Sequence, residues 1–138
     1  MLLENKTVLV TGGTGALGRS LCEVFSREGA DVAFNYEKSR DAAADVLRSI
    51  EQNGRKGLAF QCSVLDKTGI AAMVAEIIAA FGRIDILVNN AGITQVMPFA
   101  LIEEEDWDLM MDVNVKGMFL VTKAVVRKSE GAHQGFLR

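Results

Sequence analysis

The sequence predicts an α/β fold: a doubly wound parallel sheet of about four strands followed by a long helix. Two observations predict it. Short apolar runs alternate with longer stretches in which apolar residues recur every three or four positions, and glycines fall where those stretches stop. Runs without polar alternation suit parallel strands buried on both faces, and the amphipathic stretches supply the crossover helices that bury them.

The first run, residues 7–11, passes through Val8, Leu9 and Val10 into a glycine cluster. Residues 17–28 then repeat Leu17, Leu21, Val24 and Phe25 at helical spacing before Gly29, giving strand, loop and helix. Residues 32–35 make a second strand. Over 40–52, Ala43, Val46, Leu47 and Ile50 share one helical face, which Asn53 and Gly54 bring to an end. A third strand follows at 57–61. Asp66 caps a helix carrying Met73, Val74, Ile77, Ile78 and Phe81, Gly82 closes it, and 84–88 is a fourth strand. Residues 103–127 are helical in period through Trp107, Met110, Met111, Val115, Phe119, Thr122 and Val126, as one long helix or two abutting ones. The last segment, 128–138 (KSEGAHQGFLR), has two glycines and no apolar period, so an irregular tail is expected there and a single domain over 1–127.

Composition excludes several classes. The 138 residues are 49% hydrophobic and carry 15 Lys+Arg against 18 Asp+Glu, a formal charge of −3. That rules out a disordered or collagen-like chain and gives no electrostatic reason to bind nucleic acid or an anionic membrane. Cys22 and Cys62 lie in apolar runs without metal-type spacing, and the start MLLENK lacks the apolar stretch of a signal peptide, so a soluble, reducing, cytoplasmic setting and no metal are expected.

Gly13, Gly15 and Gly18 form GxGxxG between the first strand and the first helix. A glycine at such a turn adopts dihedrals closed to other residues, a missing side chain lets a diphosphate reach the backbone, and Gly18 lets helix and strand pack closely. The helix N-terminus adds free N–H groups and partial positive charge, so a nicotinamide dinucleotide is the favoured ligand, over a ligand-free tight turn. The second strand ends at Asn35 and Tyr36, and Glu37 is followed at once by Lys38, Ser39 and Arg40. Two cations and a hydroxyl favour NADP(H) over NAD(H); Glu37 turned inward would favour NAD(H) instead. Asn114 stands inside a helical pattern that Asn forms poorly, which points to a local kink or a held water, unless the side chain merely faces solvent. Asn89 and Asn90 follow the fourth strand, where their amides can fix backbone turns or bond a ribose. Met110, Met111 and Met118 are read as core or dimer interface.

Together, TGGTGALG at 11–18, NNAG at 89–92 and Asn114 in DVNVKG resemble the short-chain dehydrogenase/reductase family, in particular its 3-oxoacyl-acyl-carrier-protein and acetoacetyl-CoA reductases. The resemblance runs from residue 5 to about 127. It implies a Rossmann-like sheet, truncated after about four strands and the following long helix. By position it places Gly12, Thr14, Gly15, Leu17 and Gly18 on the diphosphate, Tyr36 and Ser39 at the adenosine end, Ser63 and Val64 at the adenine, and Asn90, Ala91 and Gly92 on the nicotinamide-side ribose. Asn114 would be catalytic, orienting a proton-relay water. The sequence departs from the family pattern at Ala16, where TGxxxGxG has its second glycine, at Gly15, where a phosphate-binding arginine is frequent, and at Ser63, where Asp is frequent.

The family's chemistry uses a tyrosine acid, a lysine four residues on that lowers its pKa, and a serine on the carbonyl. Tyr36 is the only tyrosine, Arg40 is its i+4 neighbour, and Ser129 is the one late serine. His133 in the tail is read as solvated. The resemblance implies an NADP(H)-dependent reductase of a ketone or 3-oxoacyl thioester, with little turnover expected of these residues alone. The alternatives are a non-catalytic dinucleotide-binding module and a sheet-completing partner of another chain. Residues 95–99 are the one visible substrate rim, the substrate itself is not legible, and exposure of Trp107, Met111 and Phe119 predicts self-association or a homo-oligomer.

Overall fold

The structure, a computed structural model, describes residues 1–132. Four parallel strands, β1 (Thr7–Val10), β2 (Asp31–Tyr36), β3 (Gly57–Gln61) and β4 (Ile86–Val88), lie in the order β3-β2-β1-β4. Helices α1 (Ala16–Arg27), α2 (Arg40–Gln52) and α3 (Lys67–Phe81) connect them. A 3-10 turn at Phe99–Leu101 precedes α4 (Glu104–Met111), a π-helical turn at Asp112–Lys116 and α5 (Gly117–Ala132). This is the α/β, Rossmann-like parallel sheet that the alternation of runs predicts.

Period 2 splits the central strands between two cores. Val8, Val10, Val32 and Phe34 pack on Cys22, Val46 and Ile50 of α1 and α2, while Leu9 and Ala33 pack on Ile70, Met73, Val74 and Ile77 of α3 and Val121 and Val125 of α5. Helices α2 and α3 each begin on a side-chain cap. The Ser39 hydroxyl accepts from Ala42 N at 3.1 Å, and the Asp66 carboxylate accepts from Gly69 N at 3.0 Å.

Beyond one-residue shifts at the ends of β1, α1 and β2, three features bear on the expected elements. The fourth strand starts at Ile86 rather than 84, because the Asp85 carboxylate itself accepts from Thr7 N at 2.8 Å and pairs with Arg83 at the foot of the sheet. The segment 103–127 is helical from Glu104 on, as two helices that abut: a π turn joins α4 to α5, and it ends at Gly117, where an added Cβ would lie 2.5 Å from Val64 Cγ2. A close approach to the loop after β3 therefore sits where the helix takes its extra residue. Finally, α5 continues to Ala132, so 128–132 are helical and not part of an irregular tail. Burial of Val121 and Val125 carries the helix past 127, and Ser129 Oγ donates to Val125 O at 3.0 Å. Residues 133–138, and His133 with them, lie outside the described residues.

Candidate coenzyme cleft

Strand order reverses at β1, which leads to β2 on one side and borders β4 on the other; ligands of open parallel sheets bind at such a point, beyond the carboxyl ends of the strands. There the loop after β1 turns at Gly12, whose φ of +70° is the left-handed conformation that glycine accepts freely. The turn residue is thus Gly12 and not Gly13, the first glycine of GxGxxG. Gly13 instead packs against the Phe34 side chain, whose Cβ and Cδ2 would each lie 2.5 Å from an added Cβ. Gly15 is extended, at φ −68°, with no neighbour nearer than 3.7 Å to an added Cβ, so it supplies no special flexibility. Gly18 has the packing role expected of it: a Cβ there would lie 2.0 Å from the Gly12 carbonyl oxygen.

Buried side chains hold this loop. Asn35 Oδ1 accepts from Gly12 N at 2.9 Å, and Asn35 Nδ2 donates to Cys62 O at 2.9 Å. Thr11 Oγ1 accepts from both Asn90 N (3.0 Å) and Ala91 N (2.9 Å), while Asn90 Nδ2 donates to the carbonyls of Thr11 (3.0 Å) and Gly12 (3.2 Å). Asn90 therefore fixes a turn. Asn89 Nδ2 donates to Thr122 Oγ1 of α5 at 3.0 Å. Local spacing did not reveal Thr11 or Asn35 as site-building residues; the one available signal was a polar side chain ending an apolar run.

The cleft so formed has a volume of about 460 Å³. Gly12, Thr14, Gly15, Leu17 and Gly18 line one wall, Tyr36 and Ser39 with Glu37 and Lys38 the far end, and Val64, Asn90, Ala91 and Gly92 the other wall. α1 begins here without a side-chain cap, so the N–H groups of its first turn, at Ala16, Leu17 and Gly18, have no intrahelical partner. Gly13 N–H is already given to Asn35 O at 3.0 Å. An anion in the cleft meets donors from α1, together with the positive end of its dipole.

Two expected residues lie off the cleft wall. Ser63 Oγ accepts from Leu65 N at 3.1 Å within its own turn. Asn114 sits in the π turn, exposed but bonded: its Oδ1 accepts from Ile93 N at 2.8 Å and its Nδ2 donates to Ile93 O at 2.8 Å. Each amide atom keeps one further hydrogen-bonding position. Arg40 Nε donates to Gln61 Oε1 at 3.3 Å, and Gln61 Nε2 donates to Glu37 O at 2.9 Å, so the cation is tethered beside the loop at 37–39. Burial pushes the Cys62 thiol up, with the charges of Asp66 and Glu37 adding to the rise, and burial pushes Cys22 up to about 12. Neither thiol is prepared for nucleophilic work.

The sequence matches the family model described as short chain dehydrogenase over residues 6–137, ten residues beyond the point where the motif resemblance was expected to end. It is 38% identical over 132 residues to the 3-oxoacyl-[acyl-carrier-protein] reductase FabG of Staphylococcus epidermidis, covering 93% of this chain and 54% of that one. It is 36% identical over 126 residues to glucose 1-dehydrogenase 2 of Bacillus subtilis, covering 90% and 48%. Among solved structures, a short chain dehydrogenase from Burkholderia cenocepacia in complex with NADP superposes with a TM-score of 0.86 at 36% identity, over 92% of this chain and 52% of that one. The chain spans about half the length of the curated relatives it matches.

Proposed function

This chain belongs to the short-chain dehydrogenase family, and from that premise we propose that it forms the coenzyme-binding half of an NADP(H)-dependent reductase acting on a ketone or 3-oxoacyl thioester. The observation that carries the reading is the uncapped start of α1 over a turn closed by Gly12 and Gly18, inside a cleft of a size that small-molecule sites commonly have. The coenzyme fits on this chain's own features. The N–H groups of Ala16, Leu17 and Gly18 would take the diphosphate, Val64 would flank the adenine, and Asn90, Ala91 and Gly92 would face the nicotinamide-side ribose. Lys38 and the Ser39 hydroxyl, whose oxygen caps α2 and whose proton remains free, would take a 2′-phosphate. The NADP complex of the Burkholderia relative supports that preference; Glu37 on the same wall opposes it.

Bound NADPH supplies a hydride for a carbonyl carbon. Asn114 holds the Ile93 main chain in place beyond Gly92, where an added Cβ would come within 3.1 Å of Asn114 Oδ1. Its remaining donor and acceptor positions are available to a proton-relay water, which is the role we assign to it. Relatives of equal identity, one named a 3-oxoacyl-[acyl-carrier-protein] reductase and one a glucose 1-dehydrogenase, support the reading that substrate choice lies outside this half. No tyrosine with a lysine four residues on stands after β4 in these 138 residues.

Equilibrium titration of the 138-residue polypeptide with NADPH and NADH, followed by coenzyme fluorescence, tests the reading. NADPH should bind the more tightly, with NADPH oxidation in the presence of acetoacetyl-CoA near background. Folded protein that ignores both coenzymes would overturn it.

A second reading rests on a separate observation. Among the described residues β4 pairs only with β1, and Trp107 (54% exposed) and Phe119 (58%) project from the α4–α5 segment. The same segment is acidic at Glu104, Glu105, Asp106 and Asp108 and basic at Lys123, Arg127 and Lys128. Antiparallel pairing with a second copy would set each end against its opposite charge and cover the aromatic residues. Sedimentation velocity should find a dimer that Phe119→Glu disperses; an unaltered monomer at high concentration would contradict this.

A further inference from the structure

We propose that Asn35 is the positioning residue that holds the coenzyme cleft in its binding shape before any coenzyme arrives; the assignment rests on the coenzyme-binding reading above. Asn35 is 3% exposed at the end of β2, where a polar side chain is costly unless bonded. Both of its amide atoms are bonded, and to two different loops. Oδ1 accepts from Gly12 N and Nδ2 donates to Cys62 O, each at 2.9 Å. Its main-chain carbonyl also accepts from Gly13 N at 3.0 Å.

One residue thereby ties the end of β2 to the ends of β1 and β3. The first bond pulls the Gly12 N–H inward, which leaves the turn carbonyl of Gly12 in place for Gly18 to pack on. The second fixes Cys62, the residue before Ser63 and Val64, so the diphosphate wall and the adenine wall keep a set separation. The two bonds need an acceptor and a donor on separate atoms, which the neutral carboxamide supplies: a hydroxyl carries both functions on one atom, a carboxylate at neutral pH has only acceptors, and leucine has neither. A cleft ordered in advance spares the coenzyme the cost of ordering it.

The test compares wild type with Asn35→Leu and Asn35→Asp at pH 8, with NADPH titration, thermal melting and amide hydrogen exchange on each. Asn35→Leu orphans a buried N–H and a buried carbonyl, and NADPH binding to the folded protein should weaken about tenfold to a hundredfold. Asn35→Asp keeps the acceptor for Gly12 but sets a buried carboxylate oxygen against the Cys62 carbonyl, so its NADPH binding should weaken too, and exchange at Gly12 should stay slow there while it quickens in Asn35→Leu. If Asn35→Leu does not fold, the aspartate variant and its exchange pattern decide. Variants that melt earlier but bind NADPH with the wild-type Kd would reduce Asn35 to a structural residue and overturn the assignment alone. Folded wild type that does not bind NADPH would overturn the coenzyme reading as well.

Discussion

Replacing Gly18 by alanine should damage coenzyme binding far more than it damages the fold. An added Cβ would stand 2.0 Å from the Gly12 carbonyl oxygen and 2.9 Å from Asn90 Nδ2. The nearest atom is backbone, so α1 must withdraw by about 1 Å before the contact reaches the 3.0 Å that real Cβ atoms keep. Two terms then oppose each other in stability: overpacking costs about 1–3 kcal/mol, while alanine in a helix returns about 1 kcal/mol over glycine. A net loss of roughly 0–2 kcal/mol leaves the protein folded. Binding gains nothing in return, because the withdrawal moves the N–H groups of Ala16, Leu17 and Gly18 away from the turn they serve with, and NADPH affinity should fall at least about tenfold, or 1.4 kcal/mol. Glu23→Ala is the control, on the same helix but off the cleft wall, its exposed carboxylate paired with Arg27 one turn on. The assay is coenzyme fluorescence titration beside urea unfolding. Wild-type affinity in Gly18→Ala, or lost affinity in Glu23→Ala, would refute the reasoning.

Thr11→Val should lower stability by about 1–3 kcal/mol in urea unfolding, because Thr11 Oγ1 accepts from Asn90 N and Ala91 N and valine leaves Ala91 N without its acceptor, while Asn90 N keeps the Val88 carbonyl at 3.0 Å. Lys38→Ala should cut the preference for NADPH over NADH severalfold, read as the ratio of the two Kd values, while leaving NADH binding nearly unchanged; an unchanged ratio would move the phosphate contact elsewhere. For Cys22, the thiol pushed up to about 12 from an ordinary 9.0 remains protonated in the folded state while the unfolded chain ionises. The unfolded state then binds fewer protons between pH 9 and about 12, so stability should fall across that window and not below it, and native Cys22 should resist iodoacetamide at pH 8 until denaturant is added.

Sequence order revealed the elements because each carried its own stop signals. α2 and β3 have the expected bounds, set by Ser39 at one end and by Asn53 and Gly54 at the other. Asn114 signalled an irregularity inside a helix, and a π turn is there. What local spacing could not supply is contact across the chain. Three glycines stood at 12, 13 and 15, and only the approach of Asn90 and Ala91 makes Gly12 the left-handed one. Thr11 and Asn35 build the cleft through bonds to residues 23 to 80 positions away, which no periodicity registers. Likewise, the glycine at 131 reads locally as a stop, and α5 passes it because burial of Val121 and Val125 on α3 anchors the helix.

Backbone amide chemical shifts of the folded polypeptide during titration with NADP⁺ test the central claim most directly. Ala16, Leu17 and Gly18 should move most, with smaller changes at Lys38 and Gly92 and almost none at Ile77 in the core beneath. Saturable binding that leaves those three amides unmoved, and shifts the groove of Ile70, Leu120 and Lys123 between α3 and α5 instead, would contradict it.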